Sequence, residues 1–205
     1  MKFELKTQVP FPMGLKAETA QLAQEVVGHY FDFFAWVRLG ETPAIPIEEI
    51  DPRKEKNEVQ NNTEETVKEK WLLSKWDLEY FYGLTRPAEV GCACPFGWME
   101  KVEGVVDQQY PIFGAERFPK LYDKAAHMAW LMIKNQVFPD YNAEIAVLAV
   151  FVLLGRNELV IYPNEEDLKS FVTLTRLWIK KFDREPENED AAIKELGNVI
   201  AAWGQ

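Results

Sequence analysis

From Ile145 to Leu154 every residue is apolar, with a single acid, Glu144, in front and Gly155 behind. A helix that is apolar on all sides has no face to offer water, so it must be a central one. The run is about half of the ~20 residues needed to cross a bilayer, so protein and not lipid should surround it. Gly155 suits the end of such a helix, because glycine takes the left-handed closing conformation without a Cβ penalty.

The helix ahead of it is amphipathic. From Lys120 onward, Leu121, Ala125, Met128, Ala129, Met132 and Ile133 recur at three-and-four spacing and predict one buried face, with Asn135 at its end. A short turn, Gln136-Val-Phe-Pro-Asp-Tyr-Asn-Ala-Glu144, joins the two helices. Asp140 and Asn142 stand where side chains cap a helix start, and the free N–H groups of such a start form a ready anion site.

Tyr110 to Arg176 resembles the Fic/Doc (Fido) domain, whose signature is His-x-Phe-x-Asp-Gly-Asn-Lys-Arg in the loop between two core helices. Phe138, Asp140 and Asn142 occupy the Phe, Asp and Asn positions. The flanks PIFGAERFPKLYDKAAHMAWLMIKN and AVFVLLGRNELVIY are similar too. The resemblance implies a mostly α fold, an irregular helical bundle of Fido type around the buried central helix. It also implies a small β-hairpin flap within Gln108 to Pro119 that pairs with a target peptide by strand addition. Members of the family transfer AMP or phosphate from a nucleotide to a protein hydroxyl. By that likeness Asp140 would ligate Mg²⁺, while Asn142 and the positions of Tyr141 and Glu144 would surround the phosphates of ATP.

The departures fall on the residues that do the family's chemistry. Gln136 stands where the family has its general base, and an amide does not take up a proton near neutral pH; losing such a base typically costs about 10²–10⁴ in rate. Tyr141 replaces the glycine that lets phosphate approach the backbone. Ala143 replaces the lysine, and Glu144 replaces the arginine that grips phosphate, so a carboxylate stands where phosphoryl transfer requires positive charge. Without nucleotide, Glu144 complements the positive end of a helix, by roughly 0.3–1 kcal/mol. Asp140 then reads as a cap and Phe138 as a core plug.

Three functions follow. In the first, a Fic/Doc-like chain has lost transfer chemistry and acts as a binding or regulatory pseudoenzyme with a protein partner. In the second, it is an active Mg²⁺-dependent transferase whose Gln136 positions a hydroxyl and whose base comes from elsewhere. In the third, it is an unrelated helical interaction module.

Composition narrows the setting. A chain of 205 residues, 47% of them hydrophobic, is long enough for one domain with a full core. Its net charge of −10 and lack of any Lys/Arg cluster argue against nucleic acid or an anionic membrane as partner. The N-terminus lacks an apolar run of signal-peptide length, which fits a cytoplasmic protein. Cys92 and Cys94 are too close for an unstrained disulfide and have no histidines near them in sequence to complete a zinc site, so they read as free thiols.

Along the chain, residues 1–62 read as an N-terminal helix plus a charged connector, and residues 63–205 as the helical core of the same domain. The first helix is predicted from Lys16 to Leu39, burying Leu22, Val26, Tyr30, Phe33, Phe34 and Val37, with Thr19 and Glu25 on the polar side. Glu41 to Asn62, with Pro43, Pro46 and Pro52, is a connector. Asn62 and Glu65 have capping-box spacing for a helix to Tyr82, with Val67, Trp71, Leu78 and Tyr82 buried. Trp98 to Val106 is a further helix. Glu158 to Tyr162 reads as extended, and Asn164 caps a helix burying Leu168, Phe171, Val172, Leu177 and Trp178. After the charged break Asp183 to Asp190, Ile193, Leu196, Ile200 and Trp203 form a last stripe.

Overall fold

The computed structural model describes residues 15–39, 71–85, 97–182 and 184–204. The expectations for the N-terminal segment, the connector Glu41 to Asn62, the capping box at Asn62 and Glu65, and the thiols of Cys92 and Cys94 lie outside these residues.

Eight α-helices make up the described part: α1 (Ala17–His29), α2 (Phe31–Leu39), α3 (Lys75–Thr85), α4 (Trp98–Val106), α5 (Leu121–Asn135), α6 (Asn142–Gly155), α7 (Glu165–Phe182) and α8 (Pro186–Ala202). A 3₁₀ turn, Asp107–Gln109, follows α4. No strand occurs among the described residues, so the fold is mostly α. No described helix is long and apolar enough to cross a membrane.

The apolar run forms α6, and it is the centre of the bundle. Ile145 to Val150 and Val152 to Leu154 are all buried, and α1, α2, α3 and α5 pack around the helix. Its partner α5 buries every residue of the predicted stripe and packs chiefly on α6 and α8. On α8, Ile193, Leu196, Ile200 and Trp203 are buried as their spacing predicts. The helix nevertheless begins at Pro186, inside the stretch read as a break, because proline is well tolerated in a first helical turn.

α7 opens as Asn164 predicts. Asn164 Oδ1 accepts the Asp167 N–H at 2.9 Å while Asp167 Oδ2 accepts the Asn164 N–H at 2.8 Å, a reciprocal cap. Leu168, Phe171, Val172 and Trp178 are buried, and Leu177 is only partly so.

Four expectations need correction. The single helix from Lys16 to Leu39 is two, broken at Tyr30, whose backbone leaves helical values (φ −105°, ψ 38°). The Tyr30 hydroxyl donates to the Pro163 carbonyl at 2.9 Å, and its ring packs on Phe151. That tertiary anchoring turns the chain without disturbing the apolar period. Thr19 is buried, not on the polar side, where its small side chain lets α1 approach the core.

The third correction concerns the segment before α3. Trp71 to Ser74 is not helical, and the helix runs from Lys75 through Gly83 to Thr85. Two distant side-chain amides hold this non-helical stretch. Asn157 accepts from the Trp71 N–H at 2.9 Å and donates to its carbonyl at 3.0 Å. Gln109 does the same for Leu73, at 3.0 Å in both directions. Satisfied in this way, the backbone has no need of helical bonds. Ser74 and Asp77 supply the cap, with Asp77 Oδ2 accepting the Ser74 N–H at 2.6 Å. Trp71, expected in the buried stripe, is more than half exposed.

The fourth is local. Glu158 is not extended but left-handed (φ 63°), closing α6 by a Leu159 N–H to Leu154 carbonyl bond of 3.0 Å. Beyond it the chain has no regular structure to Tyr162, whose N–H donates to the Trp203 carbonyl at 2.8 Å.

Candidate functional site

The loop between α5 and α6 is shaped by two residues in left-handed conformation. Gln136 (φ 45°) ends α5, and Tyr141 (φ 58°) precedes α6. Both positions normally favour glycine or asparagine, because a Cβ crowds the following carbonyl there. Between them Val137 and Phe138 dive into the core. The Phe138 ring stacks on Tyr82 at 4.6 Å and leans on Trp98 at 5.6 Å, so it is the core plug that the sequence predicts.

Asn142 holds the turn shut. Its Oδ1 accepts the Phe138 N–H at 2.9 Å and its Nδ2 donates to the Phe138 carbonyl at 2.8 Å. A longer contact of 3.4 Å runs from the same Nδ2 to Gln136 Oε1. Gln136 in turn donates to the Ile133 carbonyl at 2.6 Å, which ties its amide to the last turn of α5. Asn142 is buried, so every bond it makes replaces one that water cannot supply.

The capping role expected of Asp140 and Asn142 is therefore corrected. The capping position is Tyr141, and no side chain caps α6. Asn142 is the first helical residue, and its amide is spent on Phe138. Asp140 lies one residue too early to cap, and its Oδ1 is buried without a hydrogen-bond partner. Glu144 lies in the first turn of α6, as predicted, but it is buried and engages a partner of its own rather than facing solvent.

Tested against a nucleotide and Mg²⁺, the residues fit unevenly. The unpartnered Asp140 oxygen is an atom that a cation would satisfy, yet one carboxylate holds Mg²⁺ poorly without phosphate oxygens beside it. Among the described residues, no group of three His, Cys, Asp or Glu side chains converges on a point that would hold a metal. The phosphates themselves find a poor match: Tyr141 fills the glycine position and is partly buried against the core, and Glu144 brings a carboxylate to the helix start. Lys134, two residues before the loop, is paired with Glu189 at 2.6 Å.

Compared with protein families, characterised proteins and solved structures, the chain matches none.

Three groups of residues carry weight that the sequence reading did not assign. Asn157 and Gln109 hold the Trp71–Ser74 segment, although a polar residue just past an apolar helix was a usable signal for the first. Lys124, buried on α5, donates to the Gln109 carbonyl at 2.5 Å and to Glu116 at 3.2 Å. His127, also buried on α5, packs its ring on Phe118 at 4.6 Å. Lys124 and His127 interrupt the polar pattern of α5 only by sitting on its buried side, which periodicity alone did not reveal.

Proposed function

We propose that this chain is a Fic/Doc-like protein that has lost nucleotide and phosphate transfer and works as a binding or regulatory pseudoenzyme on a protein partner in the cytoplasm. The observation that carries the reading is the state of the loop: Asn142 is consumed in holding Phe138, and the first turn of α6 presents a buried acid where a phosphate grip would be needed. The paired helices α5 and α6, joined by a loop holding Phe138, Asp140 and Asn142, support the likeness on which the proposal rests. A protein partner is favoured by the exposed apolar side chains of Tyr110, Ile112 and Phe113. These flank a two-residue turn, closed by reciprocal bonds of 3.0 Å between Ile112 and Ala115, in the segment where the family likeness places its flap.

One observation favours the second reading, an active Mg²⁺-dependent transferase: the orphaned Oδ1 of Asp140. Incubation with labelled ATP, Mg²⁺ and a cell lysate separates the two. The native chain is expected to transfer no label, and a chain carrying Gln136→His, Tyr141→Gly, Ala143→Lys and Glu144→Arg is expected to recover binding of ATP. Label transfer by the native chain would overturn the pseudoenzyme reading.

A further inference from the structure

Gln109 fixes the start of the segment between α4 and α5 by its side-chain bonds to Leu73, and beyond it the segment is attached to the bundle at three points that involve an ionisable group. Lys124 on α5 ties down both its ends, donating to the Gln109 carbonyl at 2.5 Å and to Glu116 at 3.2 Å. Arg117 reaches across to α8, pairing with Asp190 and lying 3.7 Å from Glu189. Phe118, buried among exposed neighbours, sits on the His127 ring at 4.6 Å, and the Arg117 guanidinium lies 5.3 Å from the Phe118 ring centre.

His127 is 2% exposed, and its Nε2 has no hydrogen-bond partner. Burial holds it neutral, pushing its pKa down to about 4; Arg117 and Lys124 add to that effect and Asp190 opposes it. Asp123, one turn earlier on α5, is also buried, and its pKa is raised by burial against the fields of Lys120 and Lys194, with Glu195 adding to the rise. A charged imidazole here would face two cations from beneath an apolar ring, with no acceptor for its Nε2 proton. Protonation of His127 therefore acts directly on the seat of Phe118.

What the attachments restrain differs from the rest of the bundle. Residues 110–117 are exposed, and their tip carries Tyr110, Ile112 and Phe113 into solvent around a turn whose central residues both have positive φ. The α5–α8 interface beneath rests on apolar side chains, with the Lys134–Glu189 pair across it and Asp123 against Gly197, and His127 takes part in neither of these two contacts. We propose that the segment from Tyr110 to Lys120 is an acid-released latch, in which charging His127 expels Phe118 and frees the apolar tip while Gln109, α5, α6 and α8 stay packed. The inference is independent of any nucleotide chemistry at the α5–α6 loop.

Proton NMR of the full chain tests it, since the chain has two histidines, His29 and His127, whose ring signals are separable. As pH falls, the His127 ring is expected to titrate near its depressed value, and hydrogen-exchange protection of the Tyr110, Ile112 and Ala115 amides is expected to drop about tenfold over the same range. The α5 and α8 amides should keep theirs. His127→Phe preserves an aromatic partner for Phe118 and should move loss of protection in the segment to lower pH; His127→Gln serves if the phenyl ring does not fit. Loss of protection in all three regions together, or an unchanged midpoint in a folded variant, would overturn the latch.

Discussion

Asn142 and Phe138 are joined by two hydrogen bonds, one accepted from the Phe138 N–H at 2.9 Å and one donated to its carbonyl at 2.8 Å. The side chain that the family likeness assigns to phosphate is thus part of the loop's own scaffold. Asn142→Leu would leave two buried backbone groups unpaired, and we expect a loss of about 2–3 kcal/mol in urea unfolding. Asn142→Asp keeps the acceptor but sets a buried carboxylate oxygen against the Phe138 carbonyl, so it should be costly near neutral pH and less so in acid, where the protonated group can donate.

Asp77 and Arg156 form a buried pair at 3.3 Å between the start of α3 and the end of α6. Removing one partner strands the other away from water. Arg156→Met is expected to destabilise by about 3 kcal/mol, and Asp77→Asn, which retains an acceptor for the Ser74 N–H, by less. Chemical denaturation of both variants checks the order.

α5 packs tightly on α8 at Gly197, where an added Cβ would lie 2.2 Å from Asp123 Oδ1 and 3.0 Å from its Cα. The carboxylate can rotate; the backbone atom cannot. Gly197→Ala should therefore cost about 1–3 kcal/mol despite the better helix propensity of alanine. Calorimetric Tm values for the two proteins decide it.

Stability should depend on pH through His127. Its folded pKa, about 4, lies below its ordinary 6.5, so the unfolded chain binds the proton more readily. The contribution is complete above the unfolded value and is lost as pH falls toward the folded one, on the order of 2–3 kcal/mol. Asp123 works the other way: its raised pKa favours the fold at low pH and that benefit is lost as pH rises. Comparing wild type with His127→Gln between pH 7 and 4 isolates the histidine, and the variant is expected to show the shallower decline.

Much of this fold is legible in the sequence because burial repeats at the helical period. The apolar run of α6 and the stripes of α5, α7 and α8 need only local patterning, and Asn164 with Asp167 announces its own cap. Features set by distant partners are not legible in that way. Tyr30 breaks α1 from α2 through a bond to Pro163, and Trp71 to Ser74 stays out of α3 because Asn157 and Gln109 hold it. The candidate loop shows the same division. Its residues align with a signature, but the turning of Asn142 onto Phe138, and the loss of Asp140 as a cap, depend on two left-handed backbones at Gln136 and Tyr141 that no residue-type preference foretells.

The central claim is that the α5–α6 loop is a closed structural turn and not a nucleotide seat. Calorimetric titration of the native chain with ATP and Mg²⁺ tests it most directly. A closed loop gives no saturable heat at millimolar nucleotide, with or without Asp140→Ala. A Kd of about 100 μM or tighter that disappears in Asp140→Ala or in a folded Asn142 variant would contradict it.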